Sequence, residues 1–198
     1  MKLSTNEKMK ADVKEKLIQA LTFDYKTIRN SIKKEFFIKN NSKVLDIGCG
    51  TGIHCEFLKV KNYLGIDIDK RLIAYAKQKY KNKEFKVMDA TRLNFEKNSF
   101  DNVLIVGVIH HLSNENAKKV CKGIQKVLKN ESNILVIEAI PPLSKWNLLG
   151  AFLRSRDEGK FIRLTNEYKN LFSKFFTVKK AYSIPGGLFD YGVFLLEN

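Results

Sequence analysis

The sequence predicts an α/β fold: a doubly wound, mostly parallel sheet with helices on both faces. Three observations predict it. Short apolar runs of strand-favouring type alternate with amphipathic segments from residue 43 to residue 138, with short loops between them. The first run, Val44 to Ile47, opens into Gly48-Cys49-Gly50-Thr51-Gly52, where glycines at alternate positions let the backbone turn tightly and approach a ligand. The second run, Tyr63-Leu64-Gly65-Ile66-Asp67, ends in a carboxylate about 20 positions past the loop, the spacing at which a strand end meets ribose hydroxyls.

Each element has its own signal. Residues 5–39 lack strand alternation; Val13, Leu17, Ile18 and Leu21, then Ile28, Ile32 and Phe36, fall at helical spacing and predict two amphipathic helices. Strands are expected at 43–47, 63–67, 84–88, 101–106 and 133–138, with helices at 53–59, 70–80 and 114–128. A helix starting near Gly52 would turn its N–H groups toward whatever sits over the loop. Asp69 is placed to cap the 70–80 helix, Ser113 or Asn114 to cap the 114–128 helix, and Asn130 to end it.

Beyond Pro141-Pro142 the pattern changes. Trp146 to Leu153 is spaced to pack onto the domain as a short helix, and Arg154, Arg156 and Arg163 follow, with Gly159 as a hinge for a closing lid. The bland alternative pairs these arginines with Asp157, Glu158 and Glu167 on the surface. A helix at 165–174 and strands at 175–184 and 189–196, joined by a Gly186-Gly187 turn, complete the chain.

With 198 residues the chain reads as one domain. Its parts are a helical cap over 1–40, a ligand-binding core over 41–140, an insertion or lid over 141–164, and a helix with a strand pair over 165–198. No apolar run is long enough to span a membrane, and the N-terminus lacks the apolar core of a signal peptide. Three scattered cysteines, at 49, 55 and 121, point away from disulfides and toward a reducing cytoplasm; no clustered ligand set suggests a metal. The net charge of +15 divides as +6, +5 and +4 over residues 1–43, 44–142 and 143–198, and 30 of the 36 basic residues are lysine. That spread reads as a solvated lysine surface, with an anionic or nucleic-acid partner as the alternative.

The loop spacing separates two cofactors. A dinucleotide site is spaced GxGxxG; here it is GxGxG, with Asp46 at the loop entrance. A carboxylate there would repel a pyrophosphate by a few kcal/mol at an effective dielectric of about 20. The same carboxylate suits S-adenosylmethionine, which carries a sulfonium and an ammonium but no phosphate. A ligandless glycine turn is the bland alternative, and Asp46 with Asp67 at this spacing argues against it.

Residues 44–52 resemble motif I of the class I S-adenosylmethionine-dependent methyltransferases, and Gly65-Ile66-Asp67-Ile68-Asp69 resembles their acidic second motif. The resemblance, to the small-molecule type-11-like members, continues through Val87-Met88-Asp89-Ala90, Phe100 to Val106, and Val108-Ile109-His110-His111-Leu112. It implies a Rossmann-like sheet of seven strands with the last antiparallel, and N-terminal helices over the cofactor mouth, lined by Phe23, Tyr25 and Phe37. It also implies that Asp46 and the backbone of Gly48, Cys49, Gly50 and Gly52 hold the methionine end. Asp67 would then take the ribose, Ile68 and Val106 line the site, and Asp89 with the Ala90 N–H receive the adenine. For Asp89 a helix N-cap is the alternative.

Methyl transfer is an in-line displacement, so positioning and water exclusion matter most. A base helps where the acceptor keeps its proton. His110 and His111 follow the fourth strand at its carboxyl end, where open α/β sheets bind ligands, and are the base candidates. The resemblance implies that the first histidine faces cofactor or acceptor and the second packs structurally. Gly107-Val108-Ile109-His110 stands where Asn/Asp-Pro-Pro-aromatic would mark N-methylation of adenine or glutamine amide. No cysteine follows the fourth or fifth strand, which excludes the usual covalent route to 5-methylcytosine.

The expected activity is methyl transfer to the oxygen or nitrogen of a small, anionic acceptor, with Trp146, Arg154, Arg156 and Arg163 forming its pocket in a monomer or homodimer. The Val108 to Leu112 stretch also resembles methyltransferases of tRNA wobble uridine side chains, which keeps a nucleic-acid substrate as the alternative. Residues 154–163 do not match those enzymes. A non-catalytic cofactor-binding protein is the minor alternative.

Overall fold

The structure, a computed structural model, describes residues 24–39, 41–58, 60–155 and 159–198. The helix expected over Val13 to Leu21, Phe23, the Tyr25 side chain and Arg156 lie outside the described residues.

Seven strands form one sheet: β1 (Lys43–Ile47), β2 (Asn62–Asp67), β3 (Glu84–Val87), β4 (Phe100–Val106), β5 (Leu128–Ile140), β6 (Thr177–Ile184) and β7 (Asp190–Glu197). Their order is β3-β2-β1-β4-β5-β7-β6, parallel from β3 to β5, with β7 antiparallel between β5 and β6. The order reverses between β1 and β4, so their carboxyl ends frame the crevice where such sheets take ligands.

Among the described residues five helices cover it: α1 (Asp24–Glu35), α2 (Lys70–Lys79), α3 (Asn114–Val127), α4 (Leu148–Ser155) and α5 (Thr165–Phe172). The period-2 alternation of the central strands separates two cores. Leu45, Ile47, Val103 and Ile105 pack with Ala117, Val120, Cys121 and Ile124 of α3 and with Tyr168 and Phe172 of α5. Val44, Leu104, Leu135 and Ile137 pack on the other face with Ile28 and Ile32 of α1 and Ile73 and Ala76 of α2. Glu35, at the end of α1, accepts from Lys180 Nζ at 2.8 Å and Tyr182 Oη at 3.0 Å and ties that helix to β6.

Asp69 caps α2 through the Arg71 N–H, and Ser113 caps α3 through the Asn116 N–H. Four expectations are corrected. The helix expected at 53–59 is a single 3-10 turn, Ile53–Glu56, so no full helix dipole addresses the loop. Asn130 does not end α3: Leu128, fully buried and paired with Phe100, passes directly into β5, and a register shift at Phe100/Asn102 absorbs the early start. Phe37, expected at the cofactor mouth, is exposed at the opposite, amino edge of the sheet, where it borders a cavity of about 230 Å³ with Ser42, Asp101 and Ser132.

The fourth correction concerns α4. The helix forms where its periodicity places it, but Leu148, Leu149 and Phe152 face solvent instead of the domain. Its inward side carries Gly150, where a Cβ would lie 2.2 Å from the Leu188 carbonyl oxygen. Asn147 makes the attachment polar: Oδ1 accepts from the Gly150 N–H at 2.9 Å while Nδ2 reaches the Gly187 and Leu188 carbonyls at 3.2 Å.

Candidate functional site

The loop after β1 turns through Gly48, Gly50 and Gly52, all at positive φ. Gly48 and Cys49 both donate to the Ile66 carbonyl, at 2.8 and 3.0 Å, which draws the loop onto the end of β2. The Gly50 N–H then reaches Asp67 Oδ2 at 2.9 Å, and Asp67 Oδ1 accepts the Asp69 N–H at 2.8 Å. Each Asp67 oxygen thus keeps a lone pair beyond its backbone bond. A Cβ built on Gly50 meets nothing within 4 Å, so the middle of the loop faces open space.

Asp46, expected at the loop entrance, instead lies wholly beneath it, with no exposed surface. Its Oδ2 accepts from Tyr63 Oη at 2.6 Å, whereas Oδ1 is buried with no hydrogen-bond partner among the described residues. Burial pushes its pKa up to about 7; the Tyr63 hydroxyl opposes the shift and the Asp67 charge adds to it. The Cys49 side chain is also core, packed beneath Gly65, so only its backbone belongs to the loop.

Beside Asp67, Ile68 stands 72% exposed at the carboxyl edge, an apolar face held out to solvent. Met88 N–H bonds to the Asp67 carbonyl at 2.9 Å and brings the end of β3 alongside. There Asp89 Oδ1 caps the turn Ala90–Arg92, accepting from the Thr91 N–H and hydroxyl, both at 2.8 Å; these bonds hold the carboxyl below its ordinary pKa. Val106, at the end of β4, is half-buried. The cofactor-side residues expected from sequence are therefore gathered at one edge, with Asp46 and the Cys49 side chain below its surface. They fit a cationic adenosyl ligand: an unpartnered buried carboxylate oxygen under the loop, open space over Gly50, and a ribose-ready Asp67.

After β4 the chain makes a 3-10 turn, Ile109–His111. His110 is buried in it, while His111 is exposed, their ring centroids 4.0 Å apart. Glu138, wholly buried on β5, holds this turn. Its Oε1 accepts the N–H groups of Val108 at 2.9 Å and Ile109 at 2.7 Å; its Oε2 accepts the His110 N–H at 3.2 Å and lies 2.8 Å from His110 Nδ1. With the carboxylate as acceptor, this contact turns a ring Nδ1–H toward Glu138. Gly159 lies against the ring, since a Cβ there would be 2.1 Å from His110 Cδ2. Val108 joins the turn to the glycine loop: a Cβ on Gly48 would come within 2.2 Å of Val108 Cγ2.

The structure does not gather the expected acceptor residues. Arg163 is buried and commits all five guanidinium N–H groups. Nη1 donates to the Ile109 and Phe161 carbonyls, Nη2 to the Leu112 carbonyl and Asn114 Oδ1, and Nε to Asn114 Oδ1, at 2.7–3.1 Å. It clamps the histidine turn instead of facing an acceptor. Arg154 lies over the Phe189 ring at 4.5 Å and reaches the Asp190 carbonyl at 3.4 Å. Trp146 is 91% exposed. Glu167, offered as a surface ion-pair partner, accepts the Leu164 N–H at 2.7 Å. A cavity of about 300 Å³ opens between α3 and α5, lined in part by Asn114, Lys118, Arg163 and Lys174. It does not include the glycine loop.

Sequence reasoning missed Glu138 and Tyr63. Glu138 left a signal, being the one charge in the apolar run Ile134 to Ile140, and a charge buried in a central strand requires partners.

Comparison with known proteins agrees with this geometry. Residues 45–136 match the family model described as a methyltransferase domain. A demethylmenaquinone methyltransferase of Thermotoga maritima is 31% identical over 110 residues, covering 54% of this chain and 47% of that protein. A tRNA (carboxymethyluridine(34)-5-O)-methyltransferase of Arabidopsis thaliana is 31% identical over 121 residues, 58% of this chain and 30% of that protein. The chain spans about half or less of the length of these curated relatives. Among solved structures, a SAM-dependent methyltransferase of Methanosarcina mazei superposes with a TM-score of 0.69 at 19% identity, over 82% of this chain and 94% of that one. The cofactor of this group is S-adenosylmethionine, whose chemistry the loop, Asp46 and Asp67 fit. Residues 45–136 thus match a methyltransferase domain, and the sheet around them has the fold of the S-adenosylmethionine-dependent methyltransferases.

Proposed function

We propose that the chain methylates the oxygen or nitrogen of a small-molecule acceptor by in-line displacement. The observation that carries this reading is the His110–Glu138 pair, held at the carboxyl end of β4 and packed through Val108 against the glycine loop. When bound, S-adenosylmethionine supplies an electrophilic methyl group on a sulfonium centre.

The chain's own residues do the rest. Ionised Asp46 sets a negative potential under a cationic ligand, and Asp67 offers its remaining lone pairs to the ribose hydroxyls. Ile68 gives the adenine an apolar face, and Asp89 with the Ala90 N–H sits at its edge. His110 Nε2 takes the acceptor's proton, and Glu138 stabilises the resulting imidazolium through Nδ1. Arg154, on the segment after β5, is the remaining acceptor-side candidate, suited to a carboxylate or phosphate.

Calorimetry with S-adenosylmethionine and with NAD tests the cofactor half; micromolar binding of the first and far weaker binding of the second are expected. Labelled methyl transfer to a metabolite pool tests the acceptor half. A second reading, methylation of a tRNA wobble uridine side chain, draws on the relative from Arabidopsis thaliana named for that reaction. Transfer of label to bulk tRNA at physiological salt, with none to small molecules, selects it.

A further inference from the structure

We propose that the outward face of α4 is a docking surface for an anionic lipid bilayer. Leu148, Leu149, Ala151 and Phe152 share one side of the helix and all are exposed, Leu148 at 73%. Trp146 and Leu143, just before the helix, extend the apolar surface, with exposed Lys145 between them. Globular helices turn such a face inward. Here Asn147 and Gly150 anchor the opposite side to Gly187 and Leu188, so the apolar side is held outward by specific bonds. A contiguous exposed apolar surface of this kind marks an interaction site.

Charge selects the occupant. From Ala139 to Lys160 the sequence carries four cations, Lys145, Arg154, Arg156 and Lys160, against two carboxylates, Asp157 and Glu158, on a chain of net charge +15. A second copy would bring like charges together, whereas an anionic bilayer attracts them. Tryptophan at the headgroup level with leucine and phenylalanine at the acyl boundary is the pattern of an interfacial segment. Because α4 follows the carboxyl end of β5, docking would turn the edge that carries His110 and the glycine loop toward the lipid. The inference rests on the exposed face and not on the acceptor reading, and its test needs no turnover.

Trp146 is the sole tryptophan, so its fluorescence reports on this surface alone. The full chain is titrated with phosphatidylcholine vesicles containing phosphatidylglycerol, and bound protein is measured by co-sedimentation. Emission is expected to shift to the blue as protein pellets with the vesicles. Pure phosphatidylcholine should bind much less, and added salt should weaken binding. Trp146→Ser combined with Leu148→Ser should lower partitioning by about tenfold or more with an unchanged thermal midpoint, because both side chains are exposed. Three results would overturn the proposal. One is no shift and no pelleting. Another is blue emission in buffer alone, which means that the N-terminal residues or a second copy already cover Trp146. The third is equal pelleting of the double variant, which assigns binding to scattered lysines.

Discussion

His110 Nδ1 lies 2.8 Å from Glu138 Oε2, and the same buried carboxylate accepts the amide hydrogens of Val108, Ile109 and His110. One side chain therefore fixes both the backbone of the turn and the orientation of its ring. Glu138→Gln places an amide N–H₂ among four donors, which should cost about 2–4 kcal/mol of stability. It also removes the charge opposite the ring, so kcat should fall by about a hundredfold to a thousandfold. S-adenosylmethionine affinity should hold within about threefold, because no cofactor group depends on Glu138. His110→Asn separates the two roles: it keeps a donor near Glu138 but lacks Nε2, so kcat should fall with a smaller loss of thermal midpoint. Normal kcat in both variants would remove His110 from the reaction.

Asp46 gives the pH dependence. Its folded pKa is raised to about 7 by burial, above the ordinary carboxylate value. Between about pH 4 and about pH 7 the folded protein holds a proton there that the unfolded chain has released. Stability contributed by this group is therefore present at low pH and declines as pH rises from about 4 to about 7, by at most about 4 kcal/mol for a shift of this size. Cofactor affinity should run the other way, strengthening as pH rises through about 7 and Asp46 ionises opposite the cation. Asp46→Asn should flatten both profiles, raise the midpoint of denaturation at pH 8 and weaken S-adenosylmethionine binding there. Denaturant titrations and calorimetry at pH 5.5 and 8 measure both; parallel profiles for variant and parent would refute the assignment.

What was legible in the sequence was local. Val44 to Gly52, the Asp67 strand end and the Asp69 and Ser113 caps are each written within a few consecutive residues, where spacing alone determines geometry. Glu138 and His110 are 28 positions apart, and Arg163 and Ile109 are 54 apart. Those pairings arise only when β4, β5 and the segment before α5 are folded together. The periodicity of α4 identified an apolar face correctly but carried no information on what the face meets. Asp46 was readable as a cofactor-loop carboxylate; its depth was not, because it depends on Tyr63 reaching across from the next strand.

Arg163 shows how that ignorance changes a prediction. The arginine cluster suggests a side chain that binds acceptor, for which Arg163→Ala would alter only acceptor kinetics. With its five N–H groups spent on the Ile109, Phe161 and Leu112 carbonyls and on Asn114, the loss should appear as stability, about 3 kcal/mol or more. Arg163→Lys should recover little, because an ammonium cannot reproduce the planar fork. Thermal denaturation of both variants checks this. Wild-type stability with a raised acceptor KM would restore the acceptor role.

The loop glycines separate packing from binding. At Gly48 a Cβ would stand 2.2 Å from Val108 Cγ2, and at Gly52 it would stand 2.8 Å from the ring of the buried Phe85, so each substitution forces a packed neighbour to move. At Gly50 a Cβ meets nothing, and the remaining cost is its left-handed φ of 54°, about 1–2 kcal/mol. Gly48→Ala should therefore lower the thermal midpoint more than Gly50→Ala. It should also disturb kcat, because Val108 leads into the histidine turn. Gly50→Ala should fold but project a methyl group into the space over the loop, and S-adenosylmethionine affinity should drop by about tenfold or more, the worth of roughly 1.4 kcal/mol or above. The two variants are compared by thermal denaturation and calorimetry side by side. A Gly50→Ala protein that binds S-adenosylmethionine as tightly as the parent would mean that the ligand does not lie over the centre of this loop.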